Sequence, residues 1–225
     1  DVLGFRQAGI PSTIDLIPDW PTRNGRHYWR TIIDGACMYD NFSGTMNPVT
    51  GKVYRMTYSH NPIPEANGKD SIPELFCNPF LKDVTEKYVK VTEVEVELSD
   101  NFSGRHPVYL YLAVFNDLEW KPVAWSRVKG GKARFGKMGH NLVYLPVYYR
   151  GGTMECAGVP LFVDRMGRVT ELHAEKGHTV DLILTRKYPM TYTKIQWGKT
   201  VEGSVLEAAD NIEFVHSVLD VALGV

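Results

Sequence analysis

A chain of 225 residues, 44% hydrophobic and 23% charged, has the makings of one large globular domain or two small ones. Its net charge of -1, with basic residues scattered, excludes a nucleic-acid footprint, and no apolar run approaches a membrane span. Three widely spaced cysteines exclude a disulfide scaffold or zinc ribbon. Seven histidines without an HExxH leave no expectation of a metal or other cofactor.

The chain opens at Asp1 with neither an initiator Met nor a signal-peptide pattern, as expected of a processed product or a fragment. Residues 1–60 alternate apolar segments with turns. Within them, Ile33-Asp34-Gly35-Ala36 is a strong two-residue hairpin signal, with Asp34-Gly35 as a type I′ turn. In that register Ile33 faces Ala36, Trp29 faces Asp40 and His27 faces Phe42. His27 and Asp40 then become diagonal neighbours on one face, within reach of a side-chain hydrogen bond. Cys37 falls opposite Ile32, on the other face. The pairing has a chemical logic. A thiol attacking an acyl carbon needs an imidazole to take its proton, and the imidazole needs a carboxylate to fix its tautomer.

Residues 61–90 carry Asn61-Pro62, Ile63-Pro64, Ile72-Pro73 and Asn78-Pro79 and read as an extended connector. From Val91 onward short strands recur at sandwich spacing. Val94, Val96 and Leu98 alternate with Glu93, Glu95 and Glu97, the pattern of a sheet with one wet face. Strands are predicted over Val108–Phe115, Val123–Val128, Leu142–Tyr149, Leu161–Asp164, Val169–Leu172 and Thr179–Arg186. Gly130-Gly131, Gly151-Gly152 and Met166-Gly167 punctuate them as turns. Tyr109 and Tyr111 alternate with Leu110 and Leu112, so one set must face outward or toward a further layer. The pentapeptide Asp-Asn-Phe-Ser-Gly at 40–44 and 100–104 reads as recurrent turn chemistry carrying an Asn-x-Ser sequon each time. In the tail, Leu206, Ala209, Ile212, Val215 and Leu219 fit a helical stripe.

Gly9-Ile10-Pro11 followed by a strand, then Trp20, Gly25-Arg26-His27-Tyr28-Trp29 and the DG hairpin, is similar to the transglutaminase-like, papain-type lipoproteins of gut Bacteroidetes. Lys52-Val53-Tyr54-Arg55, Asn78–Thr85, Val108–Leu112, Tyr144–Val147 and Arg186–Pro189 carry the resemblance along most of the chain. It implies a mainly β (α+β overall) fold: a partial transglutaminase-like sheet over 1–60 followed, after the connector, by an antiparallel β-sandwich over 91–190. It further implies a Cys-His-Asp enzyme in which His27 is the catalytic histidine and Asp40 the acidic member, with Trp20 and Trp29 as substrate-binding candidates. The nucleophilic Cys belongs to a helix ahead of Gly9, with Asp1–Ala8 as its end and the remainder of the parent chain upstream. One departure is Arg26, which separates Gly25 from His27 where many relatives have Gly-His.

The same resemblance implies an extracytoplasmic cysteine peptidase, amidase or acyl transferase acting on peptide or glycan substrates, inactive without its thiol. It also makes Ser204–Ala208 and Val218–Leu223 strands opening a discoidin-like module within the tail, 191–225. Other readings stand beside these. His27 also fits an ordinary strand histidine, Asp40 a turn cap, Trp20 a packing residue, and Cys77 and Cys156 small buried hydrophobes. The sandwich aromatics Tyr109, Tyr111, Trp120, Trp125, Tyr144, Tyr148 and Tyr149 suit either a core or a strip that stacks on sugars, the second making the chain a non-catalytic binding module for carbohydrate or a partner protein. In a third arrangement the sandwich braces the catalytic part.

Overall fold

The computed structural model describes residues 2–21, 25–34, 37–39, 49–65, 70–98, 107–173, 199–201 and 204–206, with 34, 37–39, 199–201 and 204–206 described through the backbone alone. The protein is mainly β, built from antiparallel sheets with one short α-helix among the described residues.

Helix α1 (Val2–Gln7) ends where Gly9 adopts a φ of 75°. Gly9 N–H donates to Arg6 O at 3.0 Å and Ile10 N–H to Phe5 O at 2.8 Å, the paired bonds of a Schellman cap. Pro11 then prevents any return to helix, and the chain extends into β1 (Ser12–Ile17). Arg6 ties the helix back onto this strand through two bonds to Ser12 O, at 3.0 and 2.7 Å.

Strand β1 is the centre of a five-stranded sheet in the order β3 (Cys37–Tyr39), β2 (His27–Asp34), β1, β4 (Tyr54–Met56), β5 (Leu81–Asp83). The segment 61–90 is therefore more than a connector, since it supplies the edge strand β5. The β2–β3 ladder corrects the expected register: Ile32 faces Tyr39, Ile33 faces Met38 and Asp34 faces Cys37. The cause lies in β1. Ser12 pairs with Ile32, and Ile33 N–H donates to Pro11 O at 2.7 Å, so β2 stays extended and Asp34 enters the ladder instead of the turn. Cys37 thus pairs with Asp34, not Ile32.

A six-stranded sheet follows the order β13 (Val169–Glu171), β12 (Leu161–Val163), β10 (Leu142–Arg150), β7 (Tyr109–Asn116), β8 (Glu119–Arg127), with β11 (Thr153–Cys156) also on β10. Across one face lies the ribbon β6 (Val91–Glu97) with β9 (Lys132–Gly139). Between them Val94, Val96, Leu98, Leu110, Leu112, Val114, Phe135, Met138 and Tyr144 form a dry core. Glu93, Glu95 and Glu97 point to water, as the alternation predicts. Gly130-Gly131 and Gly151-Gly152 carry positive φ in the β8–β9 and β10–β11 turns, matching the type I′ requirement. Strands β9 and β11 escaped the sequence reading, because Lys132–Gly139 mixes charge and glycine and Thr153–Cys156 is short.

The other face of the six-stranded sheet carries Tyr109 and Tyr111 and is covered by the connector. Phe76, from the 3₁₀ turn Glu74–Cys77, stacks on Tyr111 with centroids 5.5 Å apart and an angle of 25°. Tyr111 is left 1% exposed. The layer that the tyrosines required is thus the Pro-rich segment itself.

The two sheets interlock. Residues 50–54 run into the sandwich, where Tyr54 Oη donates to Val123 O at 2.7 Å and a Cβ on Gly51 would meet Val114 and Val123 at 3.2 Å. At Gly139 a Cβ would stand 1.9 Å from Thr50 O, so only glycine admits the crossing chain. Lys52 is buried there with its Nζ donating to Asp83 (2.5 Å), Gly136 O (2.6 Å) and Lys137 O (3.2 Å), which uses all three ammonium protons. Burial lowers its pKa, and Asp83 opposes the shift. Strands β14 (Lys199–Val201) and β15 (Ser204–Leu206) form a separate hairpin. Strand 179–186, both Asp-Asn-Phe-Ser-Gly segments and the tail beyond 206 lie outside the described residues.

Candidate functional site

His27 opens β2 and pairs with Ile17, at the end of the β1–β2 ladder nearest the sandwich. Its side chain is exposed, while Trp20 and Trp29, the other two candidates described, are each 5% exposed. The imidazole lies on the Trp29 indole at 5.4 Å and 26°, and 6.0 Å from the Trp20 ring at 39°. The indoles therefore form a floor beneath the histidine; neither offers an open wall. An aromatic floor of this kind orients an imidazole.

Below the floor lies a polar network that sequence reasoning missed. Asp15, central on β1, faces Trp29 on one side and Arg55 on the other, and is 0% exposed. Arg55 grips it bidentately, Nε to Oδ1 at 2.8 Å and Nη2 to Oδ2 at 2.6 Å, which raises the guanidinium pKa still further. The 3₁₀ turn Thr85–Lys87 brings Tyr88 under the sheet, where its Oη donates to Asp15 Oδ2 at 2.5 Å. Trp29 Nε1 reaches the same Oη at 3.3 Å, as does Thr31 Oγ1, and the Tyr88 ring meets Trp29 edge-on at 84°. One signal in the sequence marked this: Asp15 is the sole charge in a strand whose other residues are aliphatic or hydroxyl-bearing, and such a charge demands a partner.

Two further polar residues lie beside the loop that leads into His27. Asn116, at the β7–β8 turn, donates to Trp20 O (2.7 Å) and Gly25 O (3.0 Å) and accepts from Gly25 N–H (3.2 Å). The sandwich thus clamps both ends of the loop that leads into His27. Asp19, next to Trp20, is 8% exposed. Burial pushes its carboxyl up to about 6, against the opposing pull of Arg26 and Lys121.

Of the sequence candidates, His27, Trp20 and Trp29 come together, whereas Asp40 lies outside the described residues. Cys37 opens β3 and pairs with Asp34, at the opposite end of β2 from His27. Cys77 and Cys156 are free and exposed, contrary to the expectation of small buried hydrophobes, because both sit on edges: the end of a 3₁₀ turn and the end of the short strand β11. Among the described residues no cluster of three or more His, Cys, Asp or Glu could hold a metal, and no helix is long and apolar enough to cross a membrane. Comparison with models of protein families, with curated proteins and with solved structures finds no match to this chain.

Proposed function

We propose that this chain furnishes the imidazole side of a transglutaminase-like cysteine hydrolase or acyl transferase that acts on extracytoplasmic peptide or glycopeptide substrates, as its resemblance to that family implies. The observation that carries the reading is the exposed His27 ring laid on buried Trp29 and flanked by Trp20, at the end of a strand and beside a clamped loop. In that role His27 takes the proton of an attacking thiol as sulfur bonds to the acyl carbon, then returns it to the departing amine. Asp40 is the family's choice of orienting carboxylate. The reading takes the thiol from the helix that precedes the Gly-Ile-Pro turn in that family, and on this reading residues 1–225 alone are expected to turn over no substrate.

The sandwich acts as a brace. Asn116 holds the Trp20–Gly25 loop, and Tyr54 and Lys52 anchor the sheet. Carbohydrate stacking has less support, because Tyr109 and Tyr111 are buried beneath Phe76. The test is an amide-hydrolysis assay on the chain extended N-terminally by its own coding sequence. Turnover that is blocked by iodoacetamide, lost in His27→Ala and kept in Cys77→Ser and Cys156→Ser is the expected result. Turnover that survives His27→Ala, or none at all from the extended chain, overturns the reading.

A further inference from the structure

The hydrogen bonds under β1 and β2 have a direction that proton counting fixes. Asp15 only accepts, and Arg55 occupies one site on each of its oxygens. Tyr88 has a single proton. Burial and then the Asp15 carboxylate push its phenol up to about 12, so it keeps that proton and donates it to Asp15 Oδ2. The phenol oxygen is left as an acceptor. It meets Trp29 Nε1, which can only donate, and Thr31 Oγ1, which must then donate as well. The order is Trp29 to Tyr88 to Asp15, closed by Arg55.

Geometry makes this order consequential for His27. Tyr88 holds the indole by its N–H edge and by an edge-on ring contact at 84°, so the indole cannot turn about its own axis without breaking the tether. The indole face so fixed is the one on which His27 lies at 26°. An N–H committed to a chain ending in a carboxylate also leaves the indole more electron-rich, which strengthens its attraction for an imidazolium.

We infer that Tyr88, held by Asp15, positions the His27 imidazole by locking the Trp29 indole beneath it. The inference rests on His27 as the base of the site, and makes Tyr88 and Asp15 positioning residues that touch no reacting atom.

The experiment follows the histidine ring signals of the 225-residue protein by NMR as pH is varied, with His27→Gln to assign the signal. Tyr88→Phe keeps the ring and its edge contact and removes only the acceptor. Its expected effect is a fall of about 0.5 in the His27 pKa, with solvent exchange of the Trp29 indole proton accelerated at least ~10-fold. Thr31→Val removes the other donor to the same oxygen and leaves both readouts at wild-type values. The charged groups beside His27 and Trp20, Arg26 and Asp19, are untouched by either change.

A folded Tyr88→Phe with an unchanged His27 pKa overturns the inference. If that variant does not fold, the wild-type protein still decides: a Trp29 indole proton exchanging as fast as free indole overturns it, and a protected one supports it. No substrate enters the measurement. A shift of His27 together with an N-terminally extended chain that shows no turnover therefore sustains the positioning role and sinks only the enzymatic reading.

Discussion

The five-stranded sheet and the sandwich differ in what joins their elements. In the sheet, an apolar cluster of Ile17, Trp20, Trp29, Val53 and Val84 is accompanied by a buried ion pair and hydroxyls: Asp15, Arg55, Tyr88 and Thr31. In the sandwich the joining residues are aliphatic and aromatic: Val94, Leu110, Leu112, Phe135 and their neighbours. Apolar contacts are non-directional and tolerate exchange among similar shapes. A buried carboxylate with three donors tolerates almost nothing, because every partner lost leaves charge stranded. Precision of orientation therefore resides in the sheet, beneath His27, and bulk stability in the sandwich.

Replacing Arg55 by leucine gives the largest expected effect. It strands Asp15 at 0% exposure and costs about 3–5 kcal/mol, comparable to the whole stability of a marginal domain. Urea unfolding monitored by circular dichroism and by tryptophan fluorescence measures it. Leu112→Ala in the sandwich core, at about 2–5 kcal/mol, is the matched comparison. If Leu112→Ala shifts the midpoint far more than Arg55→Leu, the contrast between the two interiors is wrong.

Asp19→Asn is expected to act in the other direction. The folded carboxyl titrates near 6 and the unfolded one near 3.8, so between those pH values the folded state binds more protons and stability falls as pH rises. Above pH 6 the full penalty is present, with a ceiling of ~3 kcal/mol. Asn removes it, so the variant gains roughly 1–2 kcal/mol at pH 7 and nothing below pH 3.8. Unfolding curves at pH 7 and pH 3.5 check the sign, and a variant less stable at pH 7 refutes it. Smallest of all is Lys132→Ala. Its bridges to Glu95 (3.3 Å) and Glu97 (3.0 Å) are exposed, and no shift in the unfolding midpoint is expected.

Much of the sandwich was legible because its signals are local. Alternation placed Val94, Val96 and Leu98 inward, and the two Gly-Gly pairs marked their own turns, since both facts depend on neighbours in the chain. The β2–β3 register was misread for the opposite reason. Asp34-Gly35 is a good turn by itself, but β2 is pinned by Ser12 and Pro11 from twenty residues earlier, and that tertiary hold overrode the turn preference. Asp15 stood out as a lone charge, but its partners Arg55 and Tyr88 could not be read on the same grounds: three residues from three elements meet only once β1 has chosen β4 and the 3₁₀ turn has folded under. The tyrosine face left a true question, which layer covers Tyr109 and Tyr111, and a Pro-rich stretch that reads as linker gave no hint that it was the cover.

The absent side chain at Gly139 sets a limit on how this protein can be cut or recombined. With Thr50 O standing 1.9 Å from where a Cβ would be, residues 50–54 pack against the end of β9 and are tied to it through Lys52. A cut between the halves would bare both that segment and the glycine it rests on.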